Sequence, residues 1–227
     1  AVLEVMGRDS GWLTGATILA KQEPDDAPHL IYLPEVPFHL DTFLNDVQQV
    51  HDRLGYVLIA ASEGIRDKDG NLLAKSSMKD AFGHVQLGGV GNFLAQAVNE
   101  KLKIKARANL PGTVQRASIL AASSSDLEEA YLVGKMAVKY ALEGHSGYMV
   151  SLVRESDEPY VCTTGLSPLE KIANQKKLVT PDFVTEEGNS VNDTFIRYVK
   201  PLVGELLPGY MRFQRNPIGK LLDAYTR

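Results

Sequence analysis

This 227-residue sequence has little of several features that would each point to a particular class of protein. It contains one cysteine, Cys162, so no disulfide can form within the chain, and a reducing compartment is expected. No apolar run approaches the roughly 20 residues that span a bilayer, and the N-terminus lacks the basic and then apolar pattern of a secretory signal. The net charge is -4, without a sustained basic run. We therefore expect a soluble, cytoplasmic protein that binds neither nucleic acid nor a membrane.

Cysteine and histidine offer no catalytic or metal-binding pattern. Cys162 lies in a strand-like run, residues 160–163, which favours a buried side chain over a nucleophile, because an activated thiolate needs a basic neighbour. The five histidines are scattered and lack the spacing of metal ligands. The sequence predicts no metal site within the chain.

Strand-like and helix-like segments alternate through the first two-thirds of the chain. Short apolar runs predict strands, at residues 2–5, 29–33, 56–60, 105–109 and 147–154. Apolar residues at helical spacing predict helices between and after them, at residues 11–21, 40–54, 91–102, 125–143 and 192–203. Polar residues 66–82 predict an excursion loop. This alternation predicts an α/β fold with a mainly parallel sheet flanked by helices.

Charged residues follow three of the predicted strands. Arg8 comes after the first strand, Glu63 after the third, and Arg107 with Arg116 at the fourth. The carboxyl ends of neighbouring parallel strands share one edge of a sheet, so these groups can converge there. Arginine binds phosphate oxygens with two parallel hydrogen bonds, and a carboxylate accepts from sugar hydroxyls. A sugar-phosphate site is one interpretation; solvated surface arginines are the other.

Several motifs resemble those of the phosphofructokinase family. Met6-Gly7-Arg8 followed by Ser10-Gly11-Trp12 is similar to the family's sugar-phosphate motif. Four further segments follow in the family's order: Pro34–Phe38, Ser62-Glu63-Gly64, Arg107 with Gly112-Thr113-Val114-Gln115-Arg116, and Leu127–Leu142 with Gly144-His145-Ser146-Gly147. The resemblance covers about residues 1–153. The stretch Gly83–Gly89 imitates one motif but has Leu87 where arginine is needed, so we treat it as unrelated.

The resemblance implies a role for each matched position. Met6 and Gly7 would allow close approach of the backbone, and Arg8 would be catalytic, facing the phosphoryl group in transfer. Glu63 would accept from the sugar hydroxyls.

The other matched positions would bind phosphate. Arg116 would hold the 6-phosphate, and Arg107 would reach the phosphate in a neighbouring subunit's site. Thr113 stands where many members have histidine or tyrosine, and its hydroxyl can still donate to phosphate. Shared sites of this kind imply a homo-oligomer, a dimer or a tetramer.

The resemblance also implies a division of the chain. Residues 1–116 would form the fructose 6-phosphate-binding domain, and residues 117–155 a helix and strand returning to the phosphoryl-donor domain. Residues 156–227 would be a C-terminal extension that packs back on the sugar-phosphate domain. The family's donor loop, magnesium-holding aspartate and catalytic aspartate precede the Met-Gly-Arg segment. We therefore expect a fragment in which the N-terminal half of the fold is missing, with Mg²⁺ held by ligands outside this chain.

The activity implied is that of a 6-phosphofructokinase, which converts fructose 6-phosphate to fructose 1,6-bisphosphate in glycolysis. The long tail after Arg116 and the Gly-Arg-Asp-Ser-Gly-Trp variant resemble the pyrophosphate-dependent branch. Two alternatives stay open. The first is an enzyme that uses ATP as the phosphoryl donor. The second is a non-catalytic sugar-phosphate-binding or regulatory subunit.

Overall fold

In the part of the chain that the structure describes, four short parallel strands form the central sheet. The structure is a computed structural model that describes residues 1–74, 89–204 and 211. The strands are Val2–Val5 (β1), Leu30–Tyr32 (β2), Ile59–Ser62 (β3) and Ala108–Asn109 (β4). They pair in the order β2-β3-β1-β4, and all three pairings are parallel. Strands β1 and β3 therefore lie in the middle of the sheet, where each has a neighbour on both sides.

Helices cover both faces of this sheet. The helices of the first half are Trp12–Ala16 (α1), Leu40–Leu54 (α2) and Val90–Lys101 (α3). On one face, strand residues such as Val2 and Ile59 pack against Phe43 of α2 and Leu94 of α3. On the other face, Ile31, Leu33 and Ala60 pack in a second cluster with residues 179–199. All residues of β2 and β3 are buried, as expected for strands that are covered on both faces.

The second half of the described chain adds four helices and a hairpin. These are Val114–Ala117 (α4), Ser124–Leu142 (α5), the antiparallel strands Tyr148–Asp157 (β5) and Tyr160–Pro168 (β6), Leu169–Ile172 (α6) and Asp193–Val203 (α7). Helix α5 packs on the hairpin and on α7, yet none of its residues is buried. The described residues also contain 3-10 turns at Thr17–Ala20, Ile119–Ala121 and Pro181–Phe183. In the described ranges, no helix is both long enough and apolar enough to cross a lipid bilayer.

Helix α7 brings the C-terminal part of the chain onto the central sheet. Its N-cap is Asn192, whose side chain accepts from the backbone N–H groups of Thr194 and Phe195. Phe195 is fully buried in the second core cluster, and its ring stacks on that of Trp12 at 5.7 Å between centroids. Residues near the two ends of the described chain thus share one core.

A buried carboxylate fixes the start of helix α3. Glu4 of β1 is 7% exposed, and it accepts hydrogen bonds from the backbone N–H groups of Gly89 and Gly91. The backbone nitrogen of Gly91 lies 2.7 Å from Glu4 Oε2. These N–H groups would otherwise lack partners within the helix, so Glu4 both satisfies them and ties α3 to the middle of the sheet.

The predicted α/β fold with a mainly parallel sheet is confirmed, while several boundaries differ. Strand β3 runs from Ile59 to Ser62 rather than over 56–60, and only residues 108–109 of the predicted strand 105–109 pair with a neighbour. Helix α5 begins one residue earlier than predicted, because Ser123 is its N-cap and accepts from the N–H of Asp126. Strand β6 was predicted only over 160–163. Both hairpin strands are partly exposed throughout, so neither has a clean apolar alternation.

Some predicted features lie outside the described residues. They are residues 75–82 of the predicted loop, the stretch Gly83–Leu87 with Gly88, and residues 205–210 and 212–227 of the C-terminal extension. The described part of the loop is a turn, in which Asp67 accepts from the N–H groups of Asp69 and Asn71.

Replacing Phe195 with alanine is expected to destabilise the protein by about 3–5 kcal/mol, because it empties a fully buried aromatic site between α1 and the sheet. Urea unfolding followed by circular dichroism measures the loss. Tyr131→Ala on α5, where the side chain is 76% exposed, is the matched control and should cost under about 1 kcal/mol. Equal losses in the two variants would contradict this account of the core.

Candidate functional site

A cavity of about 270 Å³ lies at the carboxyl ends of the two central strands. Ligands bind at this edge of open α/β sheets, because the connecting loops diverge there. Four segments line the cavity: the loop after β1, the start of α1, the residue that follows β3, and helix α4. The lining residues are Met6, Gly7, Arg8, Ser10, Trp12, Leu13, Glu63, Gln115 and Arg116.

The loops that follow β1 and β3 are joined by hydrogen bonds. Glu63 Oε1 accepts from the backbone N–H of Gly7 at 3.1 Å. The buried Ser62 hydroxyl donates to the Gly7 carbonyl at 2.7 Å and accepts from the Gly64 N–H at 3.2 Å. Each backbone group of Gly7 therefore has a partner on the neighbouring strand.

Two glycines are required where these loops meet. Gly7 has a φ of +153°, and a Cβ there would lie 2.5 Å from the Ser10 carbonyl oxygen. A Cβ on Gly64 would lie 1.9 Å from the carbonyl oxygen of Arg8. A larger residue at Gly7 would distort the loop after β1, and one at Gly64 would push the two loops apart, so Gly64 allows the close approach of the loop that carries Arg8 to the end of β3.

Gln115 connects helix α4 to the loop after β1. Its Oε1 accepts from the backbone N–H of Met6 at 3.0 Å, and its Nε2 donates to the Gly112 carbonyl at 3.4 Å. This bond holds helix α4 against the loop that carries Arg8, and so brings Arg116 to the same cavity. The sequence analysis quoted Gln115 within a motif but not as a site residue. Its partner lies 109 residues away, and no sequence signal indicates that pairing.

Five of the seven predicted site residues line the same cavity: Met6, Gly7, Arg8, Glu63 and Arg116. Arg107 and Thr113 do not line it, and both are exposed. The backbone carbonyl of Arg107 accepts from the Val2 N–H at the edge of the sheet, and Thr113 immediately precedes α4. Their predicted contacts with phosphate remain predictions.

The chemistry of the cavity suits an anion that also carries hydroxyl groups. Two guanidinium groups, from Arg8 and Arg116, line it beside one carboxylate, from Glu63. Guanidinium groups match phosphate oxygens in charge and geometry, and the carboxylate can accept from hydroxyls. Within residues 1–74 and 89–204, no three His, Cys, Asp or Glu side chains are grouped so that they could hold a metal ion. This donor set does not fit a Mg²⁺ site.

Asp9 follows Arg8 and forms two ion pairs. Its carboxylate lies 3.1 Å from Arg66 Nη2 and 2.5 Å from Lys176 Nζ. Partial burial acts to raise the pKa of the Asp9 carboxyl, but the bonds and charges of Lys176 and Arg66 outweigh burial and hold the pKa below its ordinary value. Asp9 therefore stays ionised and anchors the Arg8 loop at neutral pH.

Cys162 lacks the surroundings of a nucleophile. It is half-buried in β6, and its Sγ lies 3.6 Å from the Thr163 carbonyl oxygen. Burial, together with the nearby charge of Glu129, raises the pKa of the thiol. A raised pKa disfavours the reactive thiolate, in agreement with the structural role predicted from the sequence.

The fold and the cavity together define an α/β protein with an arginine-lined cavity at the carboxyl ends of parallel strands. Residues 1–141 match the family model described as phosphofructokinase. The chain belongs to the phosphofructokinase family, as the resemblance of its motifs implied.

Individual relatives extend this similarity beyond residue 141. The chain is 40% identical over 234 aligned residues to the pyrophosphate–fructose 6-phosphate 1-phosphotransferase of Xanthomonas campestris, covering 99% of this chain and 56% of that protein. It is 41% identical to the enzyme of the same name from Halomonas elongata, over 92% of this chain and 50% of that protein. The solved pyrophosphate-dependent phosphofructokinase of Marinobacter aquaeolei superposes with a TM-score of 0.78 at 34% identity, over 92% of this chain and 49% of that one. The chain spans about half the length of the curated relatives it matches.

The Asp9→Asn variant is expected to be less stable than the wild type at pH 7 by about 1 kcal/mol, because it loses two partly exposed ion pairs. The pKa of Asp9 is lower in the folded than in the unfolded protein, so its contribution is complete above the unfolded pKa of about 3.8. That contribution declines as the pH falls below about 4. The difference in urea midpoint between variant and wild type should therefore shrink from pH 7 to pH 3. A difference that stays constant over this range would contradict the assignment.

Proposed function

We propose that this chain is the sugar-phosphate-binding part of a pyrophosphate-dependent 6-phosphofructokinase. The complete enzyme would transfer a phosphoryl group from pyrophosphate to the 1-hydroxyl of fructose 6-phosphate. The observation that carries the proposal is that Arg8, Glu63 and Arg116 line one cavity although they are far apart in the sequence. The names of the relatives, which include pyrophosphate as donor, support that choice over ATP.

Arg116 and Glu63 would bind the two ends of the sugar phosphate. The Arg116 guanidinium would donate to the 6-phosphate, and the Glu63 carboxylate would accept from ring hydroxyls. Because Glu63 Oε1 already accepts from the N–H of Gly7, the sugar hydroxyls would bond to Oε2. The compact backbone at Met6 and Gly7 would let the substrate approach the end of β1.

Arg8 would act on the phosphoryl group in transfer. The oxygen of the 1-hydroxyl forms a bond to one phosphorus of pyrophosphate, the bridging P–O bond breaks, and orthophosphate leaves. The hydroxyl proton goes to a base outside this chain. A guanidinium beside the transferring group stabilises the charge that develops on its oxygens, and this is the usual role of arginine in phosphoryl transfer.

Other parts of the enzyme are proposed on the family resemblance. Mg²⁺ and the catalytic base would be held outside this chain, as the resemblance implies. Arg107 would serve the site of a neighbouring subunit in a homo-oligomer, with Thr113 donating to phosphate. The division of the chain at residues 116 and 155, the glycolytic role and a cytoplasmic location also remain predictions. ATP as donor, or a binding subunit without catalysis, are the alternatives to be tested.

Titration calorimetry of this chain with fructose 6-phosphate tests the binding role directly. We expect binding by the wild type and at least a tenfold rise in Kd for Arg116→Ala, because charged hydrogen bonds to phosphate are lost. Arg197→Ala, an exposed arginine on α7, is the matched control and should bind normally. Arg107→Ala should also bind normally in the separate chain, since this residue lies outside the cavity. Failure of the wild type to bind would refute the proposal.

Steady-state kinetics of the complete enzyme test the catalytic role of Arg8. Arg8→Ala should lower kcat by about 10²–10³-fold and change KM for fructose 6-phosphate much less, because the charge it stabilises develops only in the transition state. The reaction should proceed with pyrophosphate and not with ATP. An unchanged kcat would contradict a catalytic role for Arg8. A preference for ATP would show that ATP, and not pyrophosphate, is the phosphoryl donor.

A further inference from the structure

The loop Arg8–Trp12 contacts a segment far along the chain, Lys176–Val179. This segment lies beyond residues 1–141, the region that matches the family model. Lys176 Nζ pairs with the Asp9 carboxylate at 2.5 Å, and the Trp12 indole N–H donates to the Lys177 carbonyl at 2.8 Å. Two separate residues of the loop are therefore held by two consecutive residues of the later segment.

Glu35 joins the same two segments through a single oxygen. Its Oε1 accepts from the backbone N–H of Gly11 and from the backbone N–H of Val179, both at 2.9 Å. Gly11 is the N-cap residue of α1, and no side chain of that helix caps it. Among the described residues, the buried Oε2 of Glu35 has no hydrogen-bond partner, so the two backbone N–H groups are the polar contacts of this carboxylate.

Trp12 is the one tryptophan of the sequence, and it lies between the cavity and this segment. Its side chain lines the cavity that holds Arg8 and Arg116. Lys177 Nζ also lies 5.7 Å from the centre of the indole ring, within reach of a cation–π interaction. A change in the position of residues 176–179 would therefore change the surroundings of a cavity residue.

We propose that Lys176–Val179 is a clamp that positions the loop Arg8–Trp12 for phosphate binding, with Glu35 as the positioning residue at its centre. Trp12 begins α1, but Arg8–Gly11 belong to no helix or strand, so the loop depends on outside contacts for a fixed conformation. A loop that is ordered before the substrate arrives loses less conformational entropy on binding, which raises affinity. The ligand named in this proposal rests on the proposed function, whereas the ordering of the loop by Lys176–Val179 does not.

Two variants test the clamp with fructose 6-phosphate as the ligand. Glu35→Gln keeps the side-chain size but replaces a charged acceptor with a neutral one and puts an NH₂ group into buried surroundings where Oε2 has no hydrogen-bond partner. Lys176→Met keeps the aliphatic length and removes the ion pair with Asp9. We expect Kd to rise about fivefold for Glu35→Gln and about threefold for Lys176→Met. Lys176→Arg should restore binding to within about twofold of wild type, and the exposed Lys171→Met on α6 should not differ from it.

Hydrogen exchange of the unliganded chain supplies a second readout. Glu35→Gln should accelerate exchange of the Gly11 and Val179 amides together, and either clamp variant should shift the Trp12 fluorescence emission. Lys171→Met should change neither signal.

The two measurements separate the two proposals. Faster exchange with weaker sugar-phosphate binding supports the clamp. Unchanged amide exchange in the variants overturns it. If the wild type binds, faster exchange in a variant whose Kd is unchanged also overturns it. A wild type that does not bind fructose 6-phosphate overturns the proposed function, and the exchange rates then still decide whether the clamp orders the loop. If Glu35→Gln fails to fold, Lys176→Met decides the outcome, because its side chain is 58% exposed and its loss leaves the core intact.

Discussion

The hydrogen bonds between the ends of β1 and β3 are the constraint on which the site depends. The Glu63 carboxylate accepts a hydrogen bond from the N–H of Gly7, and the Ser62 hydroxyl donates one to the carbonyl of Gly7. The neighbouring strand therefore fixes the backbone at the start of the Arg8 loop. These bonds form because β1 and β3 are adjacent and parallel, with Val5 opposite Ser62. The same carboxylate that would bind the sugar therefore also holds the loop that would bind the phosphoryl group.

The sequence predicts the parts of this arrangement that local patterns encode. Apolar runs marked β1 and β3, and charged residues directly after them indicated Arg8 and Glu63. Parallel pairing then placed both at one edge of the sheet. Arg116 was indicated both by its position after the predicted fourth strand and by its motif, although β4 itself has only two residues. Arg107 lies outside the cavity, and its predicted contact with phosphate in a neighbouring subunit's site remains a prediction.

The contacts that the sequence could not predict are those between distant segments. Gln115 and Met6, Asp9 and Lys176, and the Glu35 bridge each join residues that no periodicity relates. They depend on how α4 and the segment after the hairpin cross the sheet, and the register of those crossings is set by core packing. The stacking of Phe195 on Trp12 is one such determinant, and its two rings come from opposite ends of the described chain.

The buried carboxylate of Glu4 has a consequence for how the molecule can vary. Because this strand residue holds Gly89 and Gly91 in place, α3 starts at a point defined by the sheet and not by the connection that precedes it. Loss of the Glu4 carboxylate would therefore leave these N–H groups without their acceptor and would loosen α3 at the end of β1 from which the cavity-lining loop begins.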